Sequence, residues 1–365
     1  MTEIEQLLHR QISAQGPISF ARFMEAALYC PKIGYYEQDS RLIGLAGDFY
    51  TSASIGPLFG QLLGAQFAGW SAQLVAGPLT WIEAGAHNGT LASAILEWLG
   101  KNRPELQQRL TYTIIEPSMR RRTWQAEKLK AYGKRVRWFS TISELGEQRV
   151  NGIIFSNELL DAFPVHRLVW NRSSQQWSER GVGLEQNRFV WKALKQPSFN
   201  IEAQLDQSGF ALGSDLLNVL PDGFIIDVSP AAAHWWTEAA EALLSGKLLT
   251  IDYGATSDEL MRPERTQGTM RAYYRQRISD DILAQAGEQD ITAHVNFTQL
   301  ERAGEAAGLK TEIFASQERF LSKIVQTMLD PAIIARWTTA ETRQLHTLTH
   351  PEHLGARFRV LVQGK

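Results

Sequence analysis

The chain of 365 residues is 44% hydrophobic and 21% charged, an ordinary composition for one large globular domain or two smaller ones. Its 37 basic and 39 acidic side chains leave a formal net charge of -2, which excludes a chain-wide field that would gather nucleic acid or an anionic membrane. A single cysteine, Cys30, excludes an intramolecular disulfide and every multi-cysteine metal site, and no apolar run reaches the ~20 residues of a bilayer span.

"MTEIEQLLHRQI" carries acids at helical spacing instead of a basic and then apolar run, so it does not read as a secretory signal. With the lone cysteine this sets the expected location as cytoplasmic. Ile4, Leu7, Leu8 and Ile12 predict a first helix, and "ISFARFMEAALY" a second that Ser19 caps. Pro31 and Gly34 break the pattern before "FGQLLGAQFAGW", a helix with Phe59, Leu62, Leu63 and Phe67 on one side. Residues 1–78 are therefore expected as a helical region packing on a core that starts at Leu79.

From Leu79 short apolar strands alternate with amphipathic helices, the pattern of a parallel sheet covered on both faces. "LTWIEA" precedes a helix with Leu91, Ala94, Ile95, Trp98 and Leu99 on one stripe, and "LTYTIIE" precedes the basic helix "SMRRRTWQAEKLKAY". "RVRWF" and "NGIIFSN" supply the next two strands, and "GFIIDVSP" and "KLLTIDYG" are expected to extend the same sheet. "LKTEIFASQ" and "ARFRVLVQ" are expected to close it as an antiparallel pair. The fold class is thus α/β, a Rossmann-like, mostly parallel sheet with an antiparallel C-terminal strand. Its two halves are 79–164 and 223–365, and the Trp-containing, alternating segment 165–222 is an inserted β-rich lobe.

In open parallel sheets ligands sit beyond the carboxyl ends of the strands. The residues there are Glu83 to Gly89, Glu116, Asn157 to His166, and Asp252 to Gly254. Gly85 and Gly89 permit a sharp turn at the mouth of a helix whose free amides attract a carboxylate or phosphate, although a purely structural turn has the same spacing. Glu116 closes the second strand, where an acid accepts hydrogen bonds from ribose hydroxyls. The negative Glu83 and the absence of basic residues in the loop favour S-adenosylmethionine over a pyrophosphate cofactor, and the missing GxGxxG argues against a nicotinamide enzyme. In "SNELLDAFPVHRL", Asn157, Glu158, Asp161 and His166 are held beside that ligand on a short turn that Pro164 stops; the plainer alternative is a helix cap by Asn157 with solvated acids.

"GDFYTS", "FGQLLG", the Glu83 to Leu91 loop, "SNELLDAFPVH", "LLTIDYG", "GTMRAYYRQ", "EQDITAHVNF" and "FRVLVQ" together resemble, in this order, the MidA family of class I methyltransferases. The resemblance runs over nearly the whole chain. It implies S-adenosylmethionine as methyl donor and, as in mitochondrial members that assist respiratory-complex assembly, a protein arginine as acceptor. It also implies that Asp48 in "GDF" closes over the donor. The chain departs from the family at His87, where the loop commonly has its middle glycine, at Ser54 and Gln61, where glutamates are common, and at Gln276, where histidine is common. If the middle loop position needs positive φ, a histidine there costs about 1–2 kcal/mol.

On this reading Glu83, Gly85, Gly89, Glu116, Asn157 and Asp48 serve the donor, and Glu158 and Asp161 grip an acceptor guanidinium through paired hydrogen bonds. His166 either takes the displaced proton or anchors the turn. Asp290, His294 and Asn296 alternate along an extended run within 262–300 and either line an acceptor channel or form the solvated face of an edge strand. No metal is implied. The expected partner is a protein substrate, from a respiratory complex or another assembly. The rival reading, motivated by His87, is a non-catalytic or weakly donor-binding assembly protein on a methyltransferase fold.

Overall fold

The structure, a computed structural model, describes residues 1–37, 52–146, 149–275 and 277–365. Asp48 and Gln276 lie outside the described residues. The chain divides into two compact units, one made of Phe49–Leu159, Trp236–Tyr253 and Gly304–Lys365, the other of Met1–Asp48, Leu160–Trp235 and Gly254–Ala303. These limits differ from the expected boundaries at 78, 164 and 222, because each unit is assembled from separate stretches of chain that composition alone does not link.

In the first unit, strands whose residues are buried on both faces form the centre of a sheet, as apolar runs without alternation require. They are β1 (Leu79–Ala84), β2 (Leu110–Ile115), β3 (Val136–Phe139), β4 (Val150–Asn157), β5 (Leu243–Ala255, its last two residues in the second unit), β6 (Lys310–Ser316) and β7 (Phe358–Gly364). The order is β6-β7-β5-β4-β1-β2-β3. All neighbours from β5 to β3 are parallel, and β7 runs antiparallel to both β5 and β6. The expected α/β sheet with an antiparallel C-terminal strand is therefore present. Trp81, Tyr112 and Phe155 are fully buried in it, and each large side chain of this kind contributes roughly 1.5–3 kcal/mol of burial free energy.

Helix α1 (Leu58–Ser71) packs on α2 (Thr90–Asn102), and the small residues of "FGQLLG" explain how closely. A Cβ on Gly60 would stand 2.6 Å from the Ala94 Cβ, so only glycine lets the two helices meet there. Helix α3 (Met119–Leu129) follows β2 and is capped by Ser118, whose hydroxyl accepts from the Arg121 N–H.

The second unit carries the N-terminal helices Glu3–Gln15 and Phe20–Tyr29, the latter capped by Ser19 as expected. Its larger sheet joins Ile18–Ser19, Gln176–Glu185, His166–Asn171 and Ile225–Val228, with Arg188–Ala193 added beside Gln176–Glu185. "GFIIDVSP" thus belongs to this sheet, antiparallel to His166–Asn171, and not to the parallel one. The four residues Ile225–Val228 are buried throughout, Asp227 included, which suits any doubly covered strand, and nothing in their spacing selects the sheet. A smaller sheet joins Arg277–Ser279, Arg271–Tyr274 and Asp290–Thr292. The extended run expected over 290–296 is broken: Asp290–Thr292 pairs with Arg271–Tyr274, whereas Val295–Asn296 pairs with Gly254–Ala255. Among the described residues no helix is long and apolar enough to cross a membrane.

Candidate active site

The strand order reverses between β1 and β4, and crevices at such switch points are where α/β sheets bind their ligands. The loop leaving β1 enters the left-handed backbone region at Gly85 (φ 73°), His87 (φ 47°) and Gly89 (φ 77°). Two of these positions have no Cβ to strain; at His87 the same conformation costs about 1–2 kcal/mol. Gly89 is the residue before α2, and its N–H closes the turn onto Ala86 O at 2.7 Å. The His87 Nε2 is enclosed and has no hydrogen-bond partner among the described residues. Burial, with help from Arg121, pushes this imidazole down to about 4 against a weaker pull from Asn88, so it is neutral at physiological pH.

Glu116, just beyond β2, is buried and doubly engaged: Oε1 accepts the Ser118 N–H at 3.1 Å, and Oε2 accepts the Gln125 amide at 3.1 Å. Gln125 is the connecting piece. Its Nε2 also donates to His87 O at 2.9 Å, and its Oε1 accepts the Trp138 indole N–H at 2.9 Å. One buried amide on α3 therefore fixes the glycine-punctuated loop, the strand-end acid and the edge strand β3 relative to each other. The sequence offered one signal for it, a glutamine on the stripe of α3 that also carries the buried Leu129. Glu83 is spoken for in part: Tyr112 donates to its Oε2 at 2.6 Å, and burial pushes this carboxyl up to about 7 in spite of that bond.

At the end of β4, Asn157 is not a helix cap. Its Nδ2 donates to Glu158 Oε1 at 3.2 Å, and its enclosed Oδ1 has no partner among the described residues. Glu158 itself is left-handed (φ 51°). Its Oε1 also accepts the Ser52 N–H at 2.8 Å; among the described residues Oε2 is not engaged. Burial first, then the charge of Asp252, pushes the Glu158 carboxyl up to about 8, against the opposing hydrogen bonds from Ser52 and Asn157. Such an acid is neutral in the free protein and ionises when a cation arrives beside it.

The other expected site residues lie in the second unit. Asp161 is buried on the short helical turn Leu160–Ala162, and its carbonyl accepts the Ala293 N–H at 2.8 Å. Asp290 is buried and accepts the Tyr36 hydroxyl at 2.8 Å. Burial, then Asp290, Tyr29 and Asp161, pushes the Tyr36 phenol well above its usual range, so these two aspartates share one neighbourhood. His166 Nδ1 meets the buried Glu179 carboxylate at 2.7 Å, which anchors the first strand of the β-rich lobe. His294 Nδ1 lies 3.0 Å from Arg265, and burial with Arg265 and Arg271 pushes its ring down to about 4. Asn296 is buried, donating to Ser208 O and accepting the Gln299 N–H. Asp290, His294 and Asn296 thus reach three different partners, and the solvated edge-strand face is not what they form.

A strand-end acid for ribose, a tight loop at a helix mouth, and an acceptor at the end of β4 with no partner among the described residues suit a nucleoside carrying an amino-acid tail. The sheet order and these groups define a class I methyltransferase core that uses S-adenosylmethionine. The family model described as "Putative S-adenosyl-L-methionine-dependent methyltransferase" matches residues 62–315, well over half of the chain, and the chain belongs to that family. It is similar to the "Protein arginine methyltransferase NDUFAF7, mitochondrial" of Danio rerio, at 26% identity over 96% of this chain and 84% of the relative, and of Homo sapiens, at 25% over 98% and 82%. It is also similar to the crystal structure of a COG1565 superfamily member from Burkholderia thailandensis bound to S-adenosyl-homocysteine, with a TM-score of 0.83 and 29% identity over 99% of this chain and 92% of that one. When bound, S-adenosylmethionine supplies an electrophilic methyl group on a sulfonium.

The neutral Glu158 gives a pH signature. A cationic ligand lowers its pKa, so the complex holds fewer protons than the free protein and affinity rises with pH until the free carboxyl, at about 8, is itself ionised. Calorimetric titration with S-adenosylmethionine is expected to show affinity rising several-fold from pH 6 to 7.5, with proton release, and a flat profile in Glu158→Gln. Equal slopes in the two proteins would detach Glu158 from the donor.

Proposed function

We propose that this methyltransferase modifies an arginine of a partner protein. The observation that carries the reading is Glu158, a half-buried residue at the switch point whose carboxyl is kept from ionising by desolvation and by nearby Asp252 until a cation is present. A guanidinium is such a cation, and it presents paired N–H groups to a carboxylate with its plane fixed. Fixing that plane aims one nitrogen at the methyl group, and alignment of the reacting atoms supplies much of the rate in transfer reactions. The names of the relatives at 25–26% identity support the same acceptor.

In this reading Glu116 binds the ribose hydroxyls, the loop from Gly85 to Gly89 receives the amino-acid tail, and the enclosed Asn157 Oδ1, without a partner among the described residues, accepts from its ammonium. Gln125 holds Glu116 and the loop in place, and Tyr112 holds Glu83 near the end of β1. The grip is assigned here to Glu158, the residue whose surroundings carry this reading. A reducing, cytoplasmic location remains part of the proposal; burial pushes the Cys30 thiol up, which makes it less reactive. Mass spectrometry of cells lacking the gene is expected to show at least one methylated arginine lost and regained on complementation with the wild type but not with Glu158→Gln. Loss of methyl-lysine or another methylated residue instead would contradict arginine as the acceptor.

A further inference from the structure

We infer that Asp252 is a positioning residue of the transfer site, acting through Glu158 and not on substrate; the inference rests on the reading of Glu158 given above. Asp252 lies near the end of β5 and is fully buried. Its Oδ2 accepts the Leu159 N–H at 3.1 Å and its Oδ1 the Tyr253 N–H at 2.8 Å. One residue earlier on each strand, the Glu158 N–H donates to Ile251 O at 2.9 Å. The backbone of Glu158 is therefore tied on both sides to adjacent residues of β5.

That clamp answers a question the turn poses. Glu158 holds φ 51° without being glycine, a conformation that costs about 1–2 kcal/mol and persists only where the surroundings over-determine it. A regular continuation of β4 would alternate Glu158 to the face opposite Asn157. Left-handed, it instead meets both the Asn157 amide and the Ser52 N–H with one oxygen, and its other oxygen is kept out of those bonds. Among the described residues, the groups acting on Glu158 are Asp252 from β5, the Ser52 amide and the Asn157 side chain. Only Asp252 among them brings charge, and it is negative. It thus holds the acid in place and also favours the protonated form, so that a cationic guest exchanges with one proton released to water.

The test reads Glu158 directly in the ligand-free protein. With carboxyl-labelled glutamate, assigned by the signal lost in Glu158→Gln, carbon NMR is expected to give a wild-type midpoint near the value of about 8. In Asp252→Asn, which keeps size and one acceptor, the midpoint is expected to fall by more than about one pH unit; an unmoved midpoint overturns the inference. The backbone half is read by denaturation. Asp252→Asn is expected to cost the wild type at least twice the stability it costs Glu158→Gly, where the left-handed turn is unstrained. Equal losses, or a chain that folds in neither background, overturn it. Neither readout involves turnover: if Glu158→Gln transferred methyl at the wild-type rate, the proposed function would fail while the coupling between the two acids stood.

Discussion

Glu158→Gln is expected to lower methyl transfer by on the order of 100-fold or more, the loss that follows when a reacting group is held about an ångström out of line. The replacement preserves volume, and its amide oxygen still accepts from Ser52, so the turn should stand. What disappears is the ability to become an anion opposite a cation. At about 4 Å and an effective dielectric near 20 the attraction between unit charges is about 4 kcal/mol, and it is present only once the acid has ionised. S-adenosyl-homocysteine lacks the sulfonium charge, so its dissociation constant is expected to change by less than about threefold. Single-turnover rates and calorimetry on the same preparation separate the two quantities. Unchanged turnover would remove Glu158 from the acceptor site.

Glu116→Ala has the second largest expected effect, and its sign is opposite: donor binding falls while the chemical step, at saturating donor, changes little. Hydrogen bonds to a charged group contribute about 1.5–3 kcal/mol each, so loss of the ribose contacts is expected to weaken S-adenosyl-homocysteine binding by on the order of 10- to 100-fold. The variant also strips an acceptor from the Ser118 N–H and the Gln125 amide. Two buried donors left unpaired cost about 1–3 kcal/mol apiece, and a lower melting temperature should accompany the weaker binding. Binding within twofold of wild type would place the ribose elsewhere.

The sheet was legible because its strands are short, apolar and separated by amphipathic helices, a texture that few folds share. The places of Glu116, Asn157 and Glu158 at or just beyond strand ends were legible for a related reason, since apolar runs stop where the crevice begins. "GFIIDVSP" was not, since burial on both faces erases the alternation that would tell one sheet from another. Nor was the break after Thr292, which sends Asp290 to Tyr36 and Asn296 to the start of a helix. Long-range hydrogen bonds leave no local periodicity at all. Gln125 reaches His87 across 38 positions and Asp252 reaches Leu159 across 93, and neither separation is written in the residues themselves.

His87 sits at positive φ with its Nε2 enclosed, a narrower loop than glycine would give. Whether that loop still admits the donor is decided by diffraction from crystals soaked with S-adenosyl-homocysteine. The account expects its ribose hydroxyls on Glu116, its amino-acid tail at the turn between Gly85 and Gly89, and the imidazole packed aside toward α3. Density for the imidazole in the place of the tail, or a ligand bound away from the ends of β1, β2 and β4, would contradict it.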